Sequence, residues 1–279
     1  MRFNKSTLAD FNVSRSLEWI ETNGLGGYAS GTVSGAHSRR YHGLLVAATK
    51  PPVGRMIVLS KLDETINAGV TSFALGTNQY PGALHPNGYN FLERFERDLF
   101  PEFYYRAGGI FLKKTIAAIY AENTTIIIYE VLEAPEPFEL ELLPLYASRD
   151  FHGLSRANDY IGKPYIFEDH VFRTLNYHCC PELFIAVPNG RFVEEKGWYY
   201  NFEYSVEQYR GLDYKEDLYS HGKFFLQLEK GAKVGLIVST DDPTGRNALD
   251  LFEKESTRRK SLMEKFLHNR SVARLVLAA

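Results

Sequence analysis

The chain has 279 residues, of which 44% are hydrophobic and 24% charged, a globular composition that excludes a disordered protein. The formal net charge of −2, from 32 Lys and Arg against 34 Asp and Glu, argues against non-specific nucleic-acid binding, which needs a basic surface. No apolar run approaches the roughly 18 residues of a membrane helix, and the N-terminal segment lacks the apolar core of a signal peptide. The adjacent cysteines Cys179 and Cys180 favour a reducing compartment. We therefore expect a cytoplasmic protein with neither a membrane nor a nucleic acid as partner.

The first distinctive segment is rich in glycine and covers residues 18–45, EWIETNGLGGYASGTVSGAHSRRYHGLL. Its run Gly24-Leu25-Gly26-Gly27-Tyr28-Ala29 matches the G-x-G-x-x-A motif of dinucleotide-binding proteins in form. That motif needs a helix after it and an acid about 20 residues downstream. Residues 30–35 form helices poorly, and no acid occurs from Leu44 to Leu62. We therefore reject a nucleotide site and predict no cofactor.

The same segment contains groups that suit a sugar. Glycines such as Gly26 and Gly27 allow tight turns and a close approach of the backbone to a ligand. The run Arg39-Arg40-Tyr41-His42 adds several hydrogen-bond donors and an aromatic face. The alternative is a structural role, with the arginines in salt bridges and the tyrosine in the core. Strand alternation would also let at most half of these side chains face one ligand.

From residue 43 to residue 240 the sequence predicts antiparallel strands separated by turns. Gly109–Tyr120 and Thr124–Leu132, joined by Ala121–Asn123, predict a hairpin, and Phe138–Leu142 alternates apolar and acidic residues. The further predicted strands are Leu44–Ala48, Met56–Leu62, Val171–Tyr177, Leu183–Val187, Trp198–Tyr209, Lys223–Leu228 and Val234–Ser239. Because no helices lie between them, we predict a mainly β fold, a large antiparallel sandwich of two packed sheets over residues 1–240.

The pattern changes to helical after Thr240. Asp242-Pro243 is a typical helix start, and apolar spacing predicts one long helix over Pro243–His268. A second apolar helix begins near Ser271 and stops at Ala279 without a termination signal. We expect residues 241–279 to be a helical linker and the beginning of a further domain that is cut off. The alternative is a C-terminal helix that docks on the sheet.

Two further clusters contain candidate residues for acid–base catalysis or cation binding. Asp150 and His152 lie two residues apart and suit acid–base work if both enter a pocket, although such runs more often form hydrogen-bonded loops. Asp213, Glu216 and Asp217 are acids that in principle bind a cation, but they lack the regular calcium-loop spacing. Neither cysteine has partners at zinc spacing, and we predict no metal site.

Three segments together resemble the N-terminal domain of bacterial and archaeal-type glycogen debranching enzymes. They are EWIETNGLGGYASGTVSGAHSRRYHGLLVAA at 18–48, LLPLYASRDFHGLSRAND at 142–159 and GWYYNFEYSVEQYRGLDYKEDLYSHGKF at 197–224. Their order and spacing also match, so the resemblance spans nearly the whole chain. One departure is His221, where the family pattern usually has proline, and we expect it to affect one turn.

The resemblance implies a large β-sandwich followed by an (α/α)₆ barrel that carries the acidic pair cleaving α-1,6-linked glucose. On that basis this chain holds no catalytic residue, and the barrel of the same polypeptide and α-glucan, or glycogen, are its partners. Substrate-binding roles are predicted for Asn23, Gly26, Gly27, Tyr28, Arg39, Arg40, Tyr41, His42, Asp150, His152, Arg210 and Asp213. We expect Asn23–Tyr28 and Arg39–His42 to lie close together and to face the barrel.

Two other functions remain open from the sequence. A self-sufficient sugar-active enzyme similar to aldose mutarotases would need a carboxylate and a histidine in one pocket. Asp150 with His152, or His42 with a spatially adjacent acid, would fill those roles. A purely structural domain would pack on the barrel and touch no sugar, and the fold alone does not separate these functions.

Overall fold

Two large antiparallel β-sheets pack face to face in the computed structural model, which describes residues 1–51, 53–264 and 272. The strands are β1 Arg2–Asn4, β2 Glu18–Thr22, β3 Tyr28–Thr32, β4 Gly43–Lys50, β5 Gly54–Ala68, β6 Thr71–Ala74, β7 Thr77–Tyr80, β8 Ala83–Asn87, β9 Leu92–Arg97, β10 Pro101–Ala107, β11 Ile110–Ala118, β12 Thr124–Glu133, β13 Phe138–Asp150, β14 Tyr165–Glu168, β15 Val171–Thr174, β16 Leu183–Ala186, β17 Arg191–Glu203, β18 Lys215–Leu228 and β19 Lys233–Ser239. The helices are α1 Lys5–Leu8, α2 Phe11–Ser14, α3 Ser205–Tyr209 and α4 Ala248–Glu264, and Gly88–Phe91 is a 3₁₀ turn.

The nine-stranded sheet has the order β1-β9-β10-β11-β12-β19-β16-β15-β14, and the eight-stranded sheet contains β17-β18-β13-β5-β4-β3-β2 with β6 beside β5. Strands β7 and β8 form a separate small hairpin. Every strand pairing in the described part of the chain is antiparallel. The predicted β-sandwich is confirmed, because the connections are hairpins and loops rather than crossover helices.

Strand β13 shows how the sequence pattern becomes packing. It lies between β5 and β18, and its first half buries Phe138, Leu140 and Leu142 while Glu139 and Glu141 stay partly exposed. The second half, from Leu145 to Arg149, is buried on both faces. This difference arises because loops cover the outer face of the eight-stranded sheet around Leu145, Ala147 and Phe202.

Several predicted strand boundaries are wrong. The predicted strand Trp198–Tyr209 ends at Glu203, and Ser205–Tyr209 forms the helical turn α3, whose Val206 N–H donates to Ser38 O at 2.9 Å. The predicted strand Lys223–Leu228 begins earlier, at Lys215.

The C-terminal helix also begins later than the predicted start at Pro243. Asp242 Oδ1 accepts the Thr244 N–H at 2.9 Å in a turn, whereas Asn247 Oδ1 accepts the Leu249 N–H at 2.8 Å and caps α4. Residues 265–271 and 273–279, which include the end of the predicted helix and nearly all of the second one, lie outside the described residues.

His221 is not part of a turn, as the sequence predicted, but a fully buried residue of strand β18. The rings of Tyr146, Tyr165, Phe172 and Tyr219 surround it at centroid distances of 5.1–5.9 Å. Burial lowers the pKa of His221 to about 4, so the imidazole is neutral near pH 7. The histidine therefore acts as part of the core beneath one end of the nine-stranded sheet.

Helix α4 is fixed to the sandwich by a buried ion-pair network. Arg259, 5% exposed, donates from Nη1 to Glu21 Oε2 at 2.6 Å and from Nε to Glu255 Oε1 at 2.7 Å. The guanidinium also donates to the carbonyl oxygens of Leu99 and Ala118. Because Glu21 belongs to the eight-stranded sheet and Ala118 to the nine-stranded sheet, one side chain joins the helix to both sheets.

We expect Arg259→Met to lower the free energy of unfolding by about 3 kcal/mol, since it leaves the buried Glu21 carboxylate with only the longer Arg97 contact at 3.4 Å. The matched control is Arg258→Met, whose guanidinium is 35% exposed and bonds Glu255 from the helix surface. Its expected cost is about 1 kcal/mol or less. Urea unfolding of both variants measures the difference. Equal losses would show that the buried network does not anchor the helix.

Candidate functional site

The outer face of the eight-stranded sheet carries a surface formed by three segments that are distant in the sequence. They are residues 37–42, residues 149–155 and residues 204–216, each of which lies within one of the family-like segments. Hydrogen bonds join all three, as described below, and we call this area the three-segment surface. It is therefore the place where the distinctive parts of the sequence meet.

A buried Arg149–Glu216 ion pair forms the base of the three-segment surface. Arg149 binds Glu216 in a bidentate manner through Nε and Nη2, with the Nη2 bond at 2.9 Å. The Glu216 side chain is fully buried and also accepts the Tyr204 hydroxyl and the N–H and hydroxyl of Ser155. A buried charge needs such complete pairing, so these contacts hold residues 149–155 and 204–216 together.

A second ion pair, Arg40 with Glu207, joins the first segment to the other two. Arg40 Nε lies 3.3 Å from the fully buried Glu207 carboxylate. Its Nη1 donates to His152 O and its Nη2 to Asp213 O, both at 2.9 Å. Arg149 Nη2 donates in turn to Arg40 O at 2.8 Å. Arg40 was predicted to bind substrate, but its guanidinium is 14% exposed and holds the surface together.

The rim above these ion pairs is polar and open. Tyr41 Oη lies 3.2 Å from Nδ1 of the exposed His152. Arg210 is half exposed and reaches Glu207 at 3.5 Å, while Asp213 is exposed. The rim thus offers hydrogen-bond donors, acceptors and a ring edge to a polar ligand.

Asp150 and His152 do not form an acid–base pair through their side chains in the contacts that the structure shows. Asp150 Oδ1 accepts the backbone N–H of His152 at 2.8 Å, which is a turn-forming contact. The imidazole of His152 instead faces the Tyr41 hydroxyl. The Asp150 carboxylate therefore shapes the loop, and His152 is presented at the rim.

The glycine-rich loop Asn23–Gly27 connects β2 and β3. Asn23 Nδ2 donates to Glu122 O at 2.8 Å, and a Cβ at Gly27 would meet this amide and the Val46 carbonyl, so the loop packs on the β11–β12 turn. The same turn contacts the C-terminal region, because Glu122 pairs with Arg246 at 2.8 Å. Gly26 O accepts the Arg55 guanidinium.

Of the predicted binding residues, Tyr28 is the one that joins the glycine-rich region to the Arg39–His42 run. The Tyr28 hydroxyl donates to Tyr41 O at 2.9 Å. Asn23 and Gly27 lie beside the β11–β12 turn, whereas Gly26 O accepts the guanidinium of Arg55, which lies over the Phe151 ring. Tyr28 thus links the two regions that the sequence predicted to be close, while the glycines allow the loop to pack on the β11–β12 turn.

Arg39 and His42 share a carboxylate, Glu18, at the edge of the three-segment surface. Arg39 Nε donates to Glu18 Oε1 at 2.7 Å, and the buried His42 places Nε2 3.6 Å from the same oxygen. His42 and then Arg39 hold the pKa of Glu18 at about 2. Burial lowers the pKa of His42 itself. His42 is therefore an enclosed partner of Glu18 rather than a group at the rim.

The structure also gives Glu216 and Asp217 a role that differs from cation binding. Glu216 is saturated by Arg149, Tyr204 and Ser155, and Asp217 accepts the N–H groups of Asn201 and Ala157 at 2.8 and 3.0 Å. Among the described residues no cluster of metal-binding side chains is found. The sequence analysis missed Arg149, Tyr204 and Glu207 as site residues, and only the family-like segments around them signalled their importance.

A small cavity between the sheets contains further buried ionisable groups. Its volume is about 50 Å³, and its lining includes His37, Lys61, Glu64 and Lys114. Glu64 accepts Lys114 Nζ and, at 2.6 Å, the Tyr129 hydroxyl. This volume suits water molecules rather than a sugar ring. Burial lowers the pKa of His37 well below its usual range.

No helix among the described residues is both long and apolar enough to cross a membrane. The family model described as glycogen debranching enzyme N terminal matches residues 17–235 of the chain. A comparison with curated proteins gave no match.

The solved structures similar to this chain include a heparan sulfate lyase and a glucoamylase. A heparan sulfate lyase HepC mutant from Pedobacter heparinus matches with 12% identity and a TM-score of 0.34, over 73% of this chain and 24% of its own. A bacterial glucoamylase complexed with acarbose matches with 10% identity and a TM-score of 0.38, over 87% of this chain and 34% of its own. This chain therefore spans about a quarter and about a third of these two proteins.

We expect Glu18→Gln to destabilise the chain above pH 5 and to lose this effect in acid. The pKa of Glu18 is about 2 in the folded chain against 4.5 for an unperturbed glutamate, so the stabilisation is complete above pH 4.5 and disappears as the pH falls toward 2. Urea unfolding at several pH values from 7 to 3 measures the gap between variant and parent. The control Glu229→Gln alters an exposed turn residue and should show a small gap at every pH. A Glu18→Gln gap that widens in acid would contradict the pairing.

Proposed function

Because this chain belongs to the glycogen debranching enzyme N-terminal family, we propose that it is the non-catalytic N-terminal domain of such an enzyme. Its ligand in this proposal is α-glucan, and its partner is an α-1,6-glucosidase barrel that follows in the same polypeptide. Its role is to support glucan binding and to shape the pocket of that barrel.

The convergence of the three family-like segments on one surface is the observation that carries this proposal. Arg40 and Arg149 hold the loops of that surface through buried ion pairs, so the rim groups sit on a rigid base. A binding site gains affinity from such preorganisation, because little ordering remains to be done when the ligand arrives. Tyr41, His152, Arg210 and Asp213 then supply the donors and acceptors that sugar hydroxyls need.

The state of the buried carboxylates supports a non-catalytic role for this surface. A glycosidase needs one carboxyl group to donate a proton and a second to act as base or nucleophile. Glu207 and Glu216 are fully buried and lie against arginines, so neither is placed to reach a glycosidic oxygen. We therefore assign the bond cleavage to the barrel.

The glycine-rich loop supports the pocket-shaping part of the proposal. Asn23–Gly27 packs on the turn whose Tyr120 ring lies beneath Arg258 of α4, at 4.3 Å from the ring centroid. Helix α4 is the last long element that the structure describes and leads toward the C-terminus. The loop thus lies on the side of the sandwich from which the proposed barrel would continue.

We expect the pure chain to release no glucose from a branched limit dextrin, since the proposal places both catalytic carboxyl groups in the barrel. A glucose-release assay on the chain, run beside the longer enzyme that contains it, measures this activity. Sustained release by the chain alone would overturn the non-catalytic assignment and favour a self-sufficient sugar-active enzyme.

In the longer enzyme we expect His152→Ala and Arg210→Ala to lower kcat/KM for branched glucan about tenfold each, because both remove rim contacts to the ligand. The melting temperature should stay near that of the parent, since the His152 side chain is exposed and Glu207 keeps its ion pair with Arg40 when Arg210 is removed. Arg2→Ala is the matched control, with a surface ion pair to Glu96 at 3.0 Å that lies outside the three-segment surface. Unchanged kcat/KM in both rim variants would favour a purely structural packing domain.

A further inference from the structure

A groove lies at the β14 end of the nine-stranded sheet, outside the three-segment surface. It has a volume of about 440 Å³ and is formed by strands β14 and β15 with the loops before and after them. We call it the edge groove, because β14 is the last strand of its sheet. Its volume lies within the roughly 300–1,000 Å³ of small-molecule sites.

Three tyrosines give the edge groove its aromatic surface. Tyr160 is 88% exposed, and Tyr165 and Tyr177 are half-buried in the wall. Asn158 positions two of them, since its Oδ1 accepts the Tyr160 N–H at 3.0 Å and its Nδ2 donates to the Tyr177 hydroxyl at 2.9 Å. An exposed ring on a fixed loop is a stacking platform with little conformational freedom to lose on binding.

The polar side of the edge groove is formed by an ion pair and a fixed amide. Arg173 donates from Nε and Nη2 to Glu182 Oε1 at 3.0 and 2.8 Å, so the pair adds donors and acceptors without net charge. Asn176 is 3% exposed, and its Nδ2 donates to Ser148 Oγ at 2.7 Å. Because the Arg173 guanidinium is already paired with Glu182, this ion pair offers no free positive charge to a phosphate or other strong anion.

We propose that the edge groove binds the pyranose rings of an α-glucan chain at a site separate from the three-segment surface. A pyranose has apolar C–H faces that pack on aromatic rings and a rim of hydroxyls that both donate and accept hydrogen bonds. The edge groove supplies both kinds of partner and no net charge from its ion pair. The choice of α-glucan among sugars rests on the proposed function.

The chain connects the two sugar-binding areas directly. Residues 149–155 contribute Arg149 and His152 to the three-segment surface, and the loop continues to Tyr160 in the edge groove. Ser148 is bonded from the groove side by Asn176 and also accepts the Cys180 thiol through its carbonyl at 3.2 Å. The edge groove thus gives a branched glucan a second binding point on the same domain. Binding there raises the effective concentration of the glucan at the three-segment surface.

Isothermal titration of the 279-residue chain with maltoheptaose tests the site. We expect Tyr160→Ala and Arg173→Ala to raise the Kd about tenfold each, as truncation of a central binding residue does. The controls are Tyr200→Ala, a tyrosine outside the edge groove that is 56% exposed, and Arg191→Ala, which pairs with Glu139 at 2.9 Å and lies over the Phe225 ring as Arg173 lies over Phe184. Circular dichroism melting curves for all four variants verify folding.

A Kd about tenfold higher in the two groove variants, with parental affinity in the two controls, supports the edge groove. Parental affinity in the groove variants, or no binding of maltoheptaose by the parent chain, overturns it. Equal binding of cellohexaose and maltoheptaose would overturn the assignment to α-linked glucan. The proposed function is tested separately, by kcat/KM of the rim variants in the longer enzyme.

Discussion

Each carboxylate that this sandwich buries at its key junctions must have a cation beside it, and Glu216 with Arg149 is the central case. An unpaired charge in a dry interior costs several kcal/mol, so the fold around Glu216 is stable only with the guanidinium in place. The same requirement acts on Glu207 with Arg40 and on Glu21 with Arg259. These pairs join loops to sheets and the last helix to both sheets, so they set the positions of the irregular parts of the chain.

This constraint gives the three-segment surface its combination of a rigid base and an open rim. Below the rim, the arginines pair with the buried carboxylates. At the rim, Tyr41 and His152 remain available to a ligand. The glycine-rich loop follows a different principle, since a Cβ at Gly27 would meet the Asn23 amide and the Val46 carbonyl oxygen of β4. Both arrangements are consistent with a domain that supports a neighbouring catalytic centre, where positions matter more than reactive groups.

The edge groove is proposed as a second sugar-binding region of the sandwich. Its tyrosines extend from the end of the nine-stranded sheet, where β14 has a partner on one side only. The loop that carries Tyr160 also carries His152, so the two regions are parts of one continuous stretch of chain. On this proposal, a branched polymer held at two linked points binds more tightly than at either point alone.

The sequence by itself determined the β-sandwich, the hairpin of β11 and β12, and the family-like segments, because alternation of apolar residues and turn signals are local properties. It did not determine that Trp198–Tyr209 breaks into a strand and the helical turn α3, nor that Arg40 is a buried anchor. Those features depend on Glu207, which lies 167 residues from Arg40, and on Ser38. Arg259 and Glu21 are likewise 238 residues apart. Only the tertiary structure decides such pairs, because the burial of a charge depends on which distant partner the fold brings to it.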